Sequence, residues 1–280
     1  MLIGWTIAKY FEKFLNSFSL RLCSGCSKVY ADDYYCEFCF ERLKYSWLKQ
    51  NYSRKYLDFD YQELEAILEE NFYPRIYKAT KYDDATKVLI RHFKYRKPFL
   101  SEFWAGFLYE YWTLHADWIL SELSIGDIEH YKSDDLPVSK LDIYISAVPM
   151  YSGKQKKRGY NQAALLSKDF AVVFDLSQKY LTQTAHGLVQ LELASVNFVP
   201  DLLLRVKDTP SLFNKAKYER LEIVKDAFVF DFSLLPETTN EQLVLVLDDI
   251  STSGASFMEI GKVINRSGYK GDLVFLSLCG

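Results

Sequence analysis

Five consecutive apolar residues, Leu243 to Leu247, run directly into Asp248-Asp249-Ile250-Ser251-Thr252-Ser253-Gly254-Ala255-Ser256. A strand covered on both faces shows no polar alternation, so this run predicts a buried strand of a parallel sheet. Phe257 to Ile264 is expected to form the helix after it. Asp142 to Pro149 and Asp272 to Leu278 predict two further core strands, with others at Arg75 to Thr80, Asp201 to Val206 and Ala227 to Phe230. Helical spacings lie between them. Ala85, Val88, Leu89 and Phe93 predict a helix over 83–93, and Leu100, Phe103, Trp104, Phe107 and Leu108 a second one after the breaker Pro98. Ala163 to Phe174 predicts a third helix, and a charged stretch containing Arg220 a fourth, ending at Val224. Strands alternating with helices imply an α/β fold with a mostly parallel sheet.

The pattern changes character towards the N-terminus. Ile7, Phe11, Phe14, Leu15 and Phe18 share one helical face, so residues 1–20 are expected to form an amphipathic helix that docks onto the rest of the protein. Residues 21–45 hold Cys23-Ser-Gly-Cys26 and Cys36-Glu-Phe-Cys39, the spacing C-x2-C-x9-C-x2-C. Four thiolates brought together by two knuckles make a closed tetrahedral site suited to structural Zn²⁺. Such a short segment buries little core, so the metal would supply most of its folding energy. Two disulfides are disfavoured in a reducing cytoplasm, and a redox pair needs only one C-x-x-C. Residues 46–280 are expected to form the α/β domain, entered through a helical connector over Asp60 to Glu70.

Composition narrows the function classes. A chain of 280 residues with 49% apolar and 25% charged residues is an ordered globular protein. Its net charge of −3 gives no global basic footprint, so any nucleic-acid contact must rely on local patches. Neither a transmembrane-length apolar run nor a signal-peptide pattern is present in the sequence. A cytoplasmic location with no membrane span is expected.

Chemistry concentrates at two strand ends. After Leu247, a small hydroxyl-rich loop leads into a helix whose free N–H groups and dipole favour a phosphate. Thr252, Ser253 and Ser256 add hydroxyl donors, and Gly254 lets the backbone approach closely. Acids would repel that phosphate unless they serve another part of the same ligand; ribose hydroxyls, or magnesium bridging to them, fit Asp248 and Asp249. The plain alternative is that the two acids cap the next helix. The second strand end is a loop carrying Gly153, Lys154, Lys156, Lys157 and Arg158, a candidate second anion site. Arg91-His-Phe-Lys-Tyr-Arg-Lys97 reads first as a solvated helix end, and otherwise as a single-stranded nucleic-acid contact with stacking on Phe93 or Tyr95.

Apolar strand, two acids and a Thr-Ser-Gly turn resemble the phosphoribosyl-diphosphate (PRPP) loop of type I phosphoribosyltransferases. The cysteine knuckles, Arg158-Gly-Tyr-Asn-Gln162, Arg205-Val-Lys-Asp-Thr-Pro210 and Val246 to Gly254, in that order, resemble the ComF family of competence proteins. Roughly residues 20 to 280 take part. Ala147 stands where that family often has Pro, and Ser211 where it often has Gln. The resemblance implies a zinc ribbon joined to a domain of phosphoribosyltransferase type I fold, and a cytoplasmic role in DNA uptake and natural transformation. It further implies contacts with single-stranded DNA and a helicase-like competence partner. Asp248 and Asp249 would hold ribose hydroxyls. Ser251, Thr252, Ser253, Gly254, Ala255 and Ser256 would hold the 5′-phosphate, and the loop with Lys154 and Arg158 the diphosphate with Mg²⁺. An active phosphoribosyltransferase using PRPP and Mg²⁺ on a nitrogen-containing acceptor is the alternative implied by the same loop.

Metal analysis of the purified protein is expected to find stoichiometric zinc on Cys23, Cys26, Cys36 and Cys39. A Cys36→Ser variant should lose it while the α/β domain stays folded. Full zinc content in that variant would exclude the site.

Overall fold

The computed structural model describes residues 74–82, 84–95, 98–123, 136–184, 187–212 and 214–280. The expected N-terminal helix, the cysteine knuckles and the connector over 60–70 lie outside the described residues. The elements are β1 (Arg75–Thr80), α1 (Asp84–Tyr95), α2 (Leu100–Ser121), β2 (Val138–Ala147), α3 (Ser152–Arg158), α4 (Gln162–Val172), β3 (Lys179–Thr184), β4 (Gly187–Phe198), β5 (Leu203–Arg205), α5 (Lys217–Val224), β6 (Phe228–Phe230), β7 (Glu241–Ile250), α6 (Ala255–Arg266) and β8 (Asp272–Cys279).

Six strands form one sheet in the order β1-β8-β7-β2-β4-β3. All neighbours run parallel except the edge hairpin β3–β4. The apolar run of β7 therefore sits between β2 and β8, with Leu245 opposite Ile145 on one side and Val274 on the other. Side chains alternate across a strand. Leu243, Leu245 and Leu247 enter one core layer with residues of α1, α2 and α4. Val244 and Val246 enter the other, with Phe257, Ile260 and Ile264 of α6. Both faces of β7 are thus covered, which is why its sequence shows no polar alternation.

Beyond α6, the second layer includes a small lobe built on the two-stranded antiparallel pair β5–β6. Leu202, Leu203, Val224, Phe228 and Phe230 anchor this lobe to the sheet. In the first layer, α2 is buried around most of its circumference. Its Trp112 donates from Nε1 to the Tyr180 hydroxyl at 3.1 Å, and Tyr109 meets Phe170 and Phe174 edge to face.

Two features depart from the sequence reading. The loop expected after Pro149 is mostly the short helix α3, ended by Gly159 at φ 91°. The hairpin β3–β4 was not anticipated, although Val189, Leu191 and Leu193 are buried between more exposed residues in the alternation of a strand. Its turn at Thr184–Gly187 lacks the Asn-Gly or Asp-Gly pair that marks most tight hairpins. At the opposite edge of the sheet from the candidate site, buried Asp142 accepts hydrogen bonds from Ser195 at 2.6 Å and Asn240 at 2.9 Å. That carboxylate fastens β2 to its surroundings and has a structural role.

Candidate functional site

Because β1, β8, β7, β2 and β4 are parallel, their C-terminal ends share one edge, where ligands of open α/β sheets bind. Asp248 and Asp249 end β7 on this edge. The loop behind them is pinned from β8: Ser251 N–H donates to the Cys279 carbonyl at 2.8 Å. A Cβ at Gly280 would strike the Ser251 carbonyl oxygen and the Lys78 side chain, so only glycine permits this approach.

Gly254 is the N-cap of α6, with φ 68° and ψ 2°. This left-handed backbone turns the chain sharply from loop to helix. Gly254 supplies no capping side chain, so the first N–H groups of α6 are left without the usual partner at that position. Ser251 is buried, and its hydroxyl has no hydrogen-bond partner. Thr252 is exposed; Ser253 and Ser256 are half-buried and Ala255 is buried.

Cations surround this loop from four directions. Lys94 of α1 brings its Nζ to 3.1 Å from Asp249 Oδ2. Arg220 of α5 donates from Nη1 to the Thr252 hydroxyl at 2.7 Å. Lys78 of β1 donates to the Thr252 carbonyl at 3.4 Å. Arg205, at the end of β5, lies over the Phe228 ring in a cation–π contact, 5.2 Å from the ring centroid, and donates from Nη2 to Thr209.

The charges shift one another. Burial and the adjacent Asp249 carboxyl raise the Asp248 pKa well above the usual carboxylate range, and Lys94 opposes that rise. Burial works against the Lys94 ammonium, but Asp249 and then Asp248 outweigh it, so its pKa is raised. Burial lowers Lys78, with Lys217 of α5 pushing the same way. A cluster of mutually repelling cations beside a helix N-terminus is a setting that a multiply charged anion relieves.

The second expected anion site is arranged differently. Lys154, on α3, pairs with Asp208 at 3.4 Å and donates to the Thr209 carbonyl, tying α3 to the segment after β5. Arg158 donates to Gln162 Oε1 at 3.1 Å and lies 5.1 Å from the centre of the Tyr95 ring. Lys156 and Lys157 are exposed. In the Arg91–Lys97 cluster, Phe93 is fully buried in the core, so the expected base stacking on Phe93 is excluded; Tyr95 is 61% exposed. Lys94 turns inward to the acids, and the solvated reading holds for Arg91. Arg96 and Lys97 lie outside the described residues.

Sequence reasoning missed Lys94, Lys78 and Arg205 as neighbours of the acids. A signal existed for Lys94, which follows the buried Ile90 by four residues and so shares its inward face.

No family model matches the chain. It is 24% identical over 250 residues to Competence protein F of Haemophilus influenzae, an alignment covering 88% of this chain and 85% of that protein. The similarity is distant but extends over most of both chains.

Since Gly254 is left-handed, Gly254→Ala is expected to lower the unfolding free energy by about 1–2 kcal/mol. Gly254→Asn should lower it less, because Asn tolerates that backbone. Urea denaturation of the three proteins checks this; equal stability of the Ala variant and the parent would contradict the turn described here.

Proposed function

We propose that this chain is a competence protein whose α/β domain binds a phosphoribosyl ligand, PRPP with Mg²⁺, at the C-terminal end of β7, and that it acts in DNA uptake. One observation carries the reading: two adjacent carboxylates end a buried parallel strand, and the loop behind them enters a helix through a left-handed glycine among converging cations. Carboxylates suit a ribose diol; helix N–H groups with Arg220 and Lys78 suit a phosphate on the same sugar. The name of the Haemophilus influenzae relative supplies the competence setting.

The donor set also fits magnesium, a hard cation commonly held through one or two carboxylates together with ligand phosphates. Asp248 and Asp249 would hold it, and it would supply charge neutralisation for a diphosphate. The protein's own contribution is to fix the sugar between the acids and the phosphate cradle and to place Arg205 and Lys94 nearby as cations. Where the domain also turns PRPP over, displacement of diphosphate at ribose C1 is helped chiefly by positioning and by stabilising charge on the leaving group. In the same proposal the four N-terminal cysteines hold a structural zinc. Exposed Arg91, Tyr95, Lys156 and Lys157 offer the local patch that contact with single-stranded DNA needs on an acidic chain. A helicase-like competence partner would act alongside.

Calorimetry with PRPP and magnesium is expected to show binding that a combined Asp248→Asn, Asp249→Asn variant loses by about a hundredfold, two hydrogen-bonded charges being removed from one ligand. The same variant should depress transformation frequency in the native host. Diphosphate release from PRPP across nitrogen-containing acceptors separates a transferase from a protein that only binds. Undiminished binding by the double variant would overturn the site.

A further inference from the structure

In the Arg158-Gly-Tyr-Asn-Gln162 motif, Asn161 and Gln162 are more buried than an anion-binding loop requires. Gln162 is 2% exposed and Asn161 9%. Their partners explain this. The last carbonyls of a helix lack intrahelical partners, and α1 has two of them claimed by this motif. The Tyr160 hydroxyl donates to the Phe93 carbonyl at 2.6 Å, and Gln162 Nε2 donates to the Lys94 carbonyl at 2.7 Å. Gln162 is itself held from behind, its Oε1 accepting from Arg158. Asn161 secures the other side of the motif: its Nδ2 donates to the Val148 carbonyl, just past β2, while its Oδ1 caps α4. The motif thus clamps the end of α1 to the ends of β2 and α4. The residue so clamped, Lys94, is the one whose ammonium meets Asp249 Oδ2.

We propose that Lys94 is a positioning residue for the acidic pair and that Tyr160 and Gln162 aim it, so that the ribose hydroxyls of the ligand meet two carboxylates held in fixed orientation. The proposal rests on the phosphoribosyl reading above. One oxygen of each acid is engaged by the protein, Asp248 Oδ1 by the Asp249 N–H at 2.8 Å and Asp249 Oδ2 by Lys94. The remaining oxygen of each serves the diol. Sequence places the motif and the acids almost ninety residues apart, about 90 by the numbering, yet through Lys94 they act on one ligand group. Arg158, Arg205, Tyr160 and Cys279 also bear on the charges of this group, and Lys94 is the cation brought into contact with it.

The test is calorimetric titration of PRPP with magnesium at neutral pH into wild type, Lys94→Met, Lys94→Arg and Tyr160→Phe, with folding checked by circular dichroism. Lys94→Met should bind at least about tenfold more weakly. Lys94→Arg should restore most of that affinity, because a cation again meets Asp249. Tyr160→Phe should weaken binding by less, keeping the charge but loosening its aim. Should Lys94→Met fail to fold, Lys94→Arg and Tyr160→Phe still decide the matter. Wild-type affinity in the Lys94→Met and Tyr160→Phe variants, or a Lys94→Arg variant as weak as Lys94→Met, would overturn the proposal and leave the phosphoribosyl reading intact. Absence of PRPP binding by the wild type would overturn both.

Discussion

Two carboxylates placed side by side at the end of a strand buried on both faces must have their charge answered locally. Isolated, each would sit in a poorly solvated site where ionisation is costly, and each would repel the other. The structure answers with Lys94 in contact with Asp249 and with Arg205 close enough to feel Asp248. Much of the surrounding architecture serves those two cations. The end of α1 is fixed by Tyr160 and Gln162, and β5 is held against the sheet through Leu203 and Phe228. A buried ion pair adds little net stability. Its presence at a strand end that also opens onto a helix N-terminus is what a binding site requires.

The loop behind the acids obeys a different constraint, the close approach of backbone to backbone. Gly254 accepts a left-handed conformation and Gly280 a contact with the Ser251 carbonyl that a side chain would forbid. Between them the Ser251–Ser253 turn is drawn down towards β8, and Lys78 and Arg220 close over Thr252 from the two sides. The carboxylates thus stand at the strand end, answered by Lys94 and Arg205, while the turn that follows them is met by Lys78 and Arg220.

Strands β7 and β8 were legible because burial on both faces leaves an apolar run, and their spans and that of the edge strand Arg75–Thr80 lie close to those expected. The acids and the loop were legible because the chemistry is contiguous in sequence. What could not be read were partnerships across the fold. Lys154 looked like part of an anion loop, yet it bonds Asp208 and Thr209, fifty-odd residues on, roughly 55 by the separation. Phe93 looked available for stacking because a cationic run surrounds it, but the helical period turns it into the core. The left-handed state of Gly254 is a backbone property that its neighbours in sequence do not declare. Hairpin β3–β4 carries the alternation of a half-buried strand but no Asn-Gly or Asp-Gly signature at its turn to mark the pairing in sequence.

A crystal structure of the full chain with PRPP and magnesium tests the central claim most directly. The account predicts the ribose hydroxyls against Asp248 and Asp249 and the 5′-phosphate on the N–H groups of Ser253 to Ser256, within reach of Arg220. Ligand bound elsewhere on the chain, with the β7 strand end untouched, would contradict it.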